Sequence, residues 1–121
     1  MSSRWVAIAL AAGRTAFGTA MAVAPRRLLG AKAAGADGQV LWLVRAFGIR
    51  DAAVGVGALR ALVSGGDGAP WVGLGAATDA ADAAAAVIWR RELGRAPAAA
   101  MAAVAAGAAV AGWGAGRRLT C

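Results

Sequence analysis

The sequence predicts an all-α fold, a four-transmembrane-helix bundle, from three observations. It contains four long apolar stretches, its tryptophans lie at the ends of those stretches, and its basic residues cluster in the connections between them. The 121 residues suffice for one domain, which we place at 1–121. Hydrophobic residues make up 60% of the chain and charged residues 16%, against about 25% charged in a typical soluble domain.

Each apolar stretch is long enough to cross a bilayer as a helix. About 20 helical residues, rising 1.5 Å each, span a hydrocarbon core of about 30 Å. Proline and glycine mark the ends: Pro25 stops the first stretch, while Pro70 and Pro97 suit the first turns of the third and fourth. The predicted helices therefore cover about 5–24, 40–64, 70–89 and 97–116.

The tryptophans support these boundaries. Amphipathic indole rings prefer the headgroup level of a membrane, so a belt of them marks the ends of spans. All five tryptophans lie near predicted helix ends: Trp5, Trp42, Trp71, Trp89 and Trp113.

The distribution of basic residues predicts the orientation. The connections 25–39 and 90–96 hold six basic residues: Arg26, Arg27, Lys32, Arg90, Arg91 and Arg95. The opposite side holds Arg4, Arg117 and Arg118, with Arg60 nearby. Cytoplasmic loops carry the excess of Lys and Arg, so both connections are predicted to be cytoplasmic. Ala-, Gly- and Arg-rich usage is common in high-GC bacteria, which favours a multi-pass protein of the bacterial plasma membrane.

The net charge of +7 raises the alternative of nucleic-acid binding. Such proteins interleave basic residues with aromatic ones on a single face, and this chain has no such face. Its arginines instead flank apolar stretches, so no nucleic-acid partner is expected. The lipid bilayer is the expected partner, and the Ala/Gly-rich fourth helix is a packing surface for the bundle or for a second copy in a homo-oligomer.

Six charges fall inside the predicted spans. Depth along the helices places four at the middle of the membrane and two nearer the cytoplasm. The central four are Arg14, Arg50, Asp51 and Asp79, and the other two are Arg45 and Asp82. The six charges sum to zero, which indicates pairing, because an unpaired charge in hydrocarbon is costly.

The third helix depends on that pairing. Two central aspartates cost roughly 5–7 kcal/mol on the membrane-insertion scale, whereas its four large apolar side chains return only about 1–2.5 kcal/mol. The third helix should therefore not insert alone. Its available cationic partners are Arg14, Arg45 and Arg50 on the first two helices.

Three motifs resemble one family. They are Gly13-Arg14-x-x-x-Gly18 leading to Pro25, Arg45-Ala46-Phe47-Gly48-Ile49-Arg50-Asp51 followed by Gly55, and Asp79-x-x-Asp82. Together they resemble small four-helix integral membrane proteins of bacteria, of actinobacterial type, grouped as a domain of unknown function. The resemblance covers the first three helices and implies fold and location. A looser likeness to DoxX-type four-helix membrane proteins rests on Arg and Gly in the first helix. Small multidrug transporters need a glutamate where this chain has Arg14.

The charged cluster leaves three functions open. The first is an enzyme or binding protein for a lipophilic small molecule, with Asp79, Asp82 and Asp51 as candidate catalytic carboxylates. The candidate substrate-binding residues are then Arg14, Arg45 and Arg50, which would orient a polar head or stabilise negative charge. The second is a proton-coupled small transporter. The third is a structural or accessory subunit whose ion pairs fix helix register. With no histidine and a single cysteine, neither a metal site nor a cofactor is expected.

Overall fold

The computed structural model describes residues 2–30, 35 and 37–120, and these residues are almost entirely helical. The predicted all-α class is confirmed for them, since they include no strand. Lys32 and its neighbours in the connection 25–39 lie outside the described residues. The helices are α1 (Ser3–Val23), α2 (Pro25–Leu29), α3 (Gly38–Val63), α4 (Ala69–Ile88), α5 (Arg90–Leu93) and α6 (Arg95–Thr120).

Local sequence explains three of the helix boundaries. Pro25 occupies the first position of α2, where its missing N–H is not needed. The Asp37 carboxylate caps α3 by accepting a hydrogen bond of 2.9 Å from the Val40 N–H. Gly94 has a φ of 89°, a left-handed conformation that separates α5 from α6.

Two stretches are more helical than the sequence indicated. The segment after Trp89 forms the single-turn helix α5 rather than an irregular connection. Helix α6 runs on through Arg117 and Arg118 to Thr120, four residues past the predicted end at 116. Arginine is a good helix former, and no proline or left-handed glycine interrupts this last turn.

The long helices pack as two antiparallel pairs, α1 with α3 and α4 with α6, and the contacts between the pairs are sparser. In the first pair, the Arg4 guanidinium donates to the Leu62 carbonyl at one end, and Gly18 lies beside Gly48 nearer the other. In the second pair, Gly112 lies against Ala76. We call the boundary between the two pairs the seam.

Glycine lets α1 and α3 meet backbone to backbone. A Cβ atom added to Gly48 would lie 2.5 Å from the Gly18 carbonyl oxygen and 2.6 Å from the Ala22 nitrogen. A Cβ added to Gly18 would lie 2.5 Å from the Ala52 nitrogen. Only glycine fits at this approach, and small residues in general are typical of close helix contacts in membranes.

Large apolar side chains lie on the outside of the helices. Trp5, Ile49, Val104 and Trp113 each expose more than 60% of their surface, whereas the buried positions are mostly alanine and glycine. Helices α1, α4 and α6 are long and apolar enough to cross a membrane. This inverted distribution suits a surface in contact with lipid.

Replacing Gly48 with alanine should weaken the α1–α3 pair. The new methyl group meets backbone atoms that cannot rotate away, so we expect a loss of about 1–3 kcal/mol in the free energy of unfolding. Far-UV circular dichroism during denaturation in detergent measures this change in the free energy of unfolding. Gly107→Ala is the matched control, because a Cβ there meets nothing within 4 Å. Equal stability of the two variants would contradict the close approach.

Candidate functional site: an Arg/Asp network at the seam

Five charged side chains from three helices form one continuous chain of alternating charge. Each lies close to the middle of its helix, and Asp82, the farthest, is about one turn away. We call this set the Arg/Asp network; in order of contact it runs Asp79, Arg14, Asp51, Arg50 and Asp82.

Arg14 of α1 is the residue of the network that contacts both other helices. Its guanidinium pairs with Asp51 of α3 at 3.1 Å and with Asp79 of α4. A longer hydrogen bond of 3.4 Å reaches the Gly75 carbonyl. Gly75 makes room for this, because a Cβ there would lie 3.3 Å from the Arg14 Nε. One cation therefore joins three helices.

Arg50 of α3 forms the second half of the network. It donates two hydrogen bonds to the Asp82 carboxylate, at 2.8 and 3.3 Å, in the forked geometry that guanidinium and carboxylate groups favour. A third bond of 3.2 Å reaches Asp51 and closes the chain. The guanidinium also lies 5.0 Å from the centre of the Phe47 ring, a cation–π contact.

The two ends of the network differ in exposure. At the Arg14 end, 18% of the arginine side chain and 11% of the Asp79 side chain are exposed. At the other end the figures are 32% for Arg50 and 34% for Asp82. The network is thus mostly covered by protein at the Arg14–Asp79 pair and open at the Arg50–Asp82 pair.

Arg45 does not join the network. Its side chain is exposed, and it makes no ion pair with Asp51, Asp79 or Asp82. It precedes Arg50 by five residues, which turns it about 140° around α3. The assembled network therefore holds two arginines and three aspartates, a formal charge of −1, rather than the neutral set of six that the sequence suggested.

The network bridges the seam. Arg14 and Arg50 belong to the α1–α3 pair, whereas Asp79 and Asp82 both belong to α4 of the second pair. Few other contacts link α3 with α4. The ion pairs thus join the two halves near the middle of the helices. A buried apolar cluster also crosses the seam nearer one end; its members are Ala7, Leu62, Val72 and Ala115.

Phe47 is the network contact that sequence reasoning missed. Its position three residues before Arg50 on one helix was the available signal, since side chains at that spacing lie on the same face. Among the described residues, no group of three or more His, Cys, Asp or Glu side chains is arranged to hold a metal ion. Every carboxylate of the network instead faces a guanidinium.

Arg14→Met should be far more damaging than Asp79→Leu. Removing the arginine leaves one cation among three carboxylates, and we expect a loss of about 3–5 kcal/mol in the free energy of unfolding. Removing Asp79 leaves two arginines and two aspartates, a balanced set. The double variant should recover part of the loss caused by Arg14→Met. Denaturation in detergent, followed by circular dichroism, gives the three values. Strict additivity would show that Arg14 and Asp79 do not interact.

Comparison with known proteins returned no relative. No protein family, curated protein or solved structure matches this chain.

Proposed function

We propose that this chain is a four-span integral membrane protein of the bacterial plasma membrane that binds the polar end of a lipophilic small molecule at Arg50 and Asp82. The observation that carries the proposal is the exposure of this pair. About a third of each side chain is open at a depth where the flanking helices are apolar. Charged atoms that face hydrocarbon need a polar partner, and the polar end of a ligand would supply one.

The packing of α3 supports four spans rather than three. Helix α3 has 26 residues, about 39 Å, but its four charges keep it from qualifying as a span by composition. It lies antiparallel along α1, from the contact of Arg4 with Leu62 to that of Gly18 with Gly48. If α1 crosses the membrane, α3 crosses beside it. The resemblance to small four-helix membrane proteins points the same way.

Energetics favour a ligand at the open end. A charged residue at the centre of a spanning helix costs roughly 2.5–3.5 kcal/mol, and pairing lowers this cost without removing it. The Arg14–Asp79 pair is shielded by protein on most of its surface, but the Arg50–Asp82 pair is not. A ligand that carries a carbonyl, carboxylate or hydroxyl group on an apolar body would cover the exposed atoms and keep its own tail in lipid.

The roles of the two residues follow from their chemistry. Arg50 has only donors and would bind a carbonyl or carboxylate oxygen. Asp82, when ionised, has only acceptors and would take a hydrogen bond from a hydroxyl group. Asp79 and Asp82 pair with different arginines, so the geometry favours binding over acid–base chemistry by a proton-sharing carboxylate pair.

Proton coupling is the second candidate, because the network has one more carboxylate than guanidinium. A net negative charge in hydrocarbon is stabilised by taking up one proton. Release of that proton when a ligand binds would couple proton transfer to ligand binding. A structural or accessory role, in which another protein's helix covers the open pair, is the remaining alternative.

Labelling from one side of the membrane tests the α6 span and the predicted orientation, in which the connection 90–96 is cytoplasmic and the C-terminus is outside. Cys121 is the single cysteine of the sequence, so a membrane-impermeant maleimide added to intact cells should label it. A Cys121→Ser variant that carries Ala96→Cys, between α5 and the body of α6, should react only after permeabilisation. Labelling of both positions from the same side would rule out an α6 span.

Ligand retention tests the proposed site. Protein purified from bacterial membranes is extracted with solvent, and bound lipophilic molecules are identified by mass spectrometry. Asp82→Asn and Arg50→Gln should reduce the retained species about 10- to 100-fold, the loss expected for a hydrogen bond to a charged group. Arg45→Gln is the matched control, because Arg45 is on the same helix but outside the network. Equal retention by all four proteins would eliminate this site.

A further inference from the structure

A second polar feature lies at the membrane boundary, well away from the Arg/Asp network. In the connection between α4 and α6, three arginines and one glycine line a cavity of about 410 Å³. We call it the basic pocket; its residues are Arg90, Arg91, Gly94 and Arg95. Trp89 directly precedes it and is exposed, as expected for an indole at headgroup level.

The chain is shaped to bring these arginines together. Helix α5 is a single turn, and Gly94, with its left-handed φ of 89°, reverses the chain between Arg91 and Arg95. Arg90 is anchored by donating a 2.9 Å hydrogen bond to the Val87 carbonyl near the end of α4. Arg91 and Arg95 are exposed around the cavity. Helix α6 starts at the rim, and its first N–H groups add positive potential.

The sequence around the pocket is basic even when its one acidic residue is counted. Residues 89–96 hold three arginines and one glutamate, a formal charge of +2. Guanidinium groups in a concave setting match the oxygens of phosphate in number and direction. A phosphate-bearing anion is therefore the ligand chemistry that fits.

We infer that the basic pocket binds a phosphate group, and that its source is the headgroup of an anionic phospholipid in the adjoining leaflet. The choice of a lipid as source rests on the membrane arrangement proposed above, because only then does the pocket lie at headgroup depth beside Trp89. Basic pockets between membrane helices on the cytoplasmic side bind anionic headgroups by this chemistry. A soluble phosphate ester is the other source of the same group.

The test uses the full chain in an uncharged detergent, titrated with phosphatidylglycerol, phosphatidylcholine or inorganic phosphate, with bound ligand counted by native mass spectrometry. The wild-type chain should retain phosphatidylglycerol and not phosphatidylcholine. The variant Arg91→Gln/Arg95→Gln should bind it roughly 10- to 30-fold more weakly, since each arginine near an anionic headgroup contributes severalfold. Arg90 is left in place because it contacts the end of α4.

The matched control removes the same charge from the other end of the bundle. Arg117→Gln/Arg118→Gln deletes two exposed arginines from the last turn of α6 and should leave phosphatidylglycerol binding unchanged. Equal weakening in both double variants, or in neither, overturns the proposal, since binding would then follow net charge alone or no arginine at all. Binding of inorganic phosphate as tightly as phosphatidylglycerol overturns the lipid as the source and assigns a soluble phosphate.

Two further variants separate folding from binding and this site from the other. Arg91→Lys/Arg95→Lys keeps the charge but loses the forked guanidinium donors, so it should bind phosphatidylglycerol less tightly than the wild type and more tightly than Arg91→Gln/Arg95→Gln. Circular dichroism verifies that each variant is helical. Arg50→Gln should lose the lipophilic ligand of the Arg/Asp network yet keep phosphatidylglycerol. Loss of both ligands in Arg50→Gln would show that the basic pocket is not an independent site.

Discussion

The structure depends on one guanidinium shared between two carboxylates. Arg14 leaves α1 near its middle and reaches Asp51 on α3 and Asp79 on α4, so a single side chain fixes the relative depth of three helices. Helix α4 is apolar enough to span a membrane, but each central aspartate costs about 2.5–3.5 kcal/mol on the insertion scale, a cost that pairing with Arg14 lowers.

Much of the fold was predictable because a helix that is long and apolar enough to cross a membrane leaves a long apolar run in the sequence. Runs such as residues 5–24, with proline or glycine at their ends, located all four long helices to within a few residues. The pairing of helices was not predictable in the same way. That α1 lies on α3 depends on Gly18 meeting Gly48, and sequence alone does not say which glycines face each other.

The sequence predicted the depth of the candidate site, but it did not predict which face of each helix meets the other helices. Arg14, Asp51 and Asp79 lie at matching depth, and the structure brings them into contact. Arg45 has a suitable charge and an acceptable depth, but the twist of α3 turns it away from the aspartates. The resulting excess of one carboxylate, and the contrast between a covered and an open end, emerge only when rotation about each helix axis is known.

The interior, which is rich in alanine and glycine, affects how much side-chain conformational entropy is lost when the helices pack. Side chains of this size have no rotamers to lose, so the alanine and glycine positions between α1 and α3 come into contact without a cost in side-chain conformational entropy. The close approach of the two backbones then contributes dispersion energy beside the Arg14–Asp51 ion pair and the hydrogen bond from Arg4 to the Leu62 carbonyl. Gly75, which lies beside Arg14, likewise has no side chain that could change its conformation. The α1–α3 contact and the Arg14–Gly75 contact are therefore expected to be rigid.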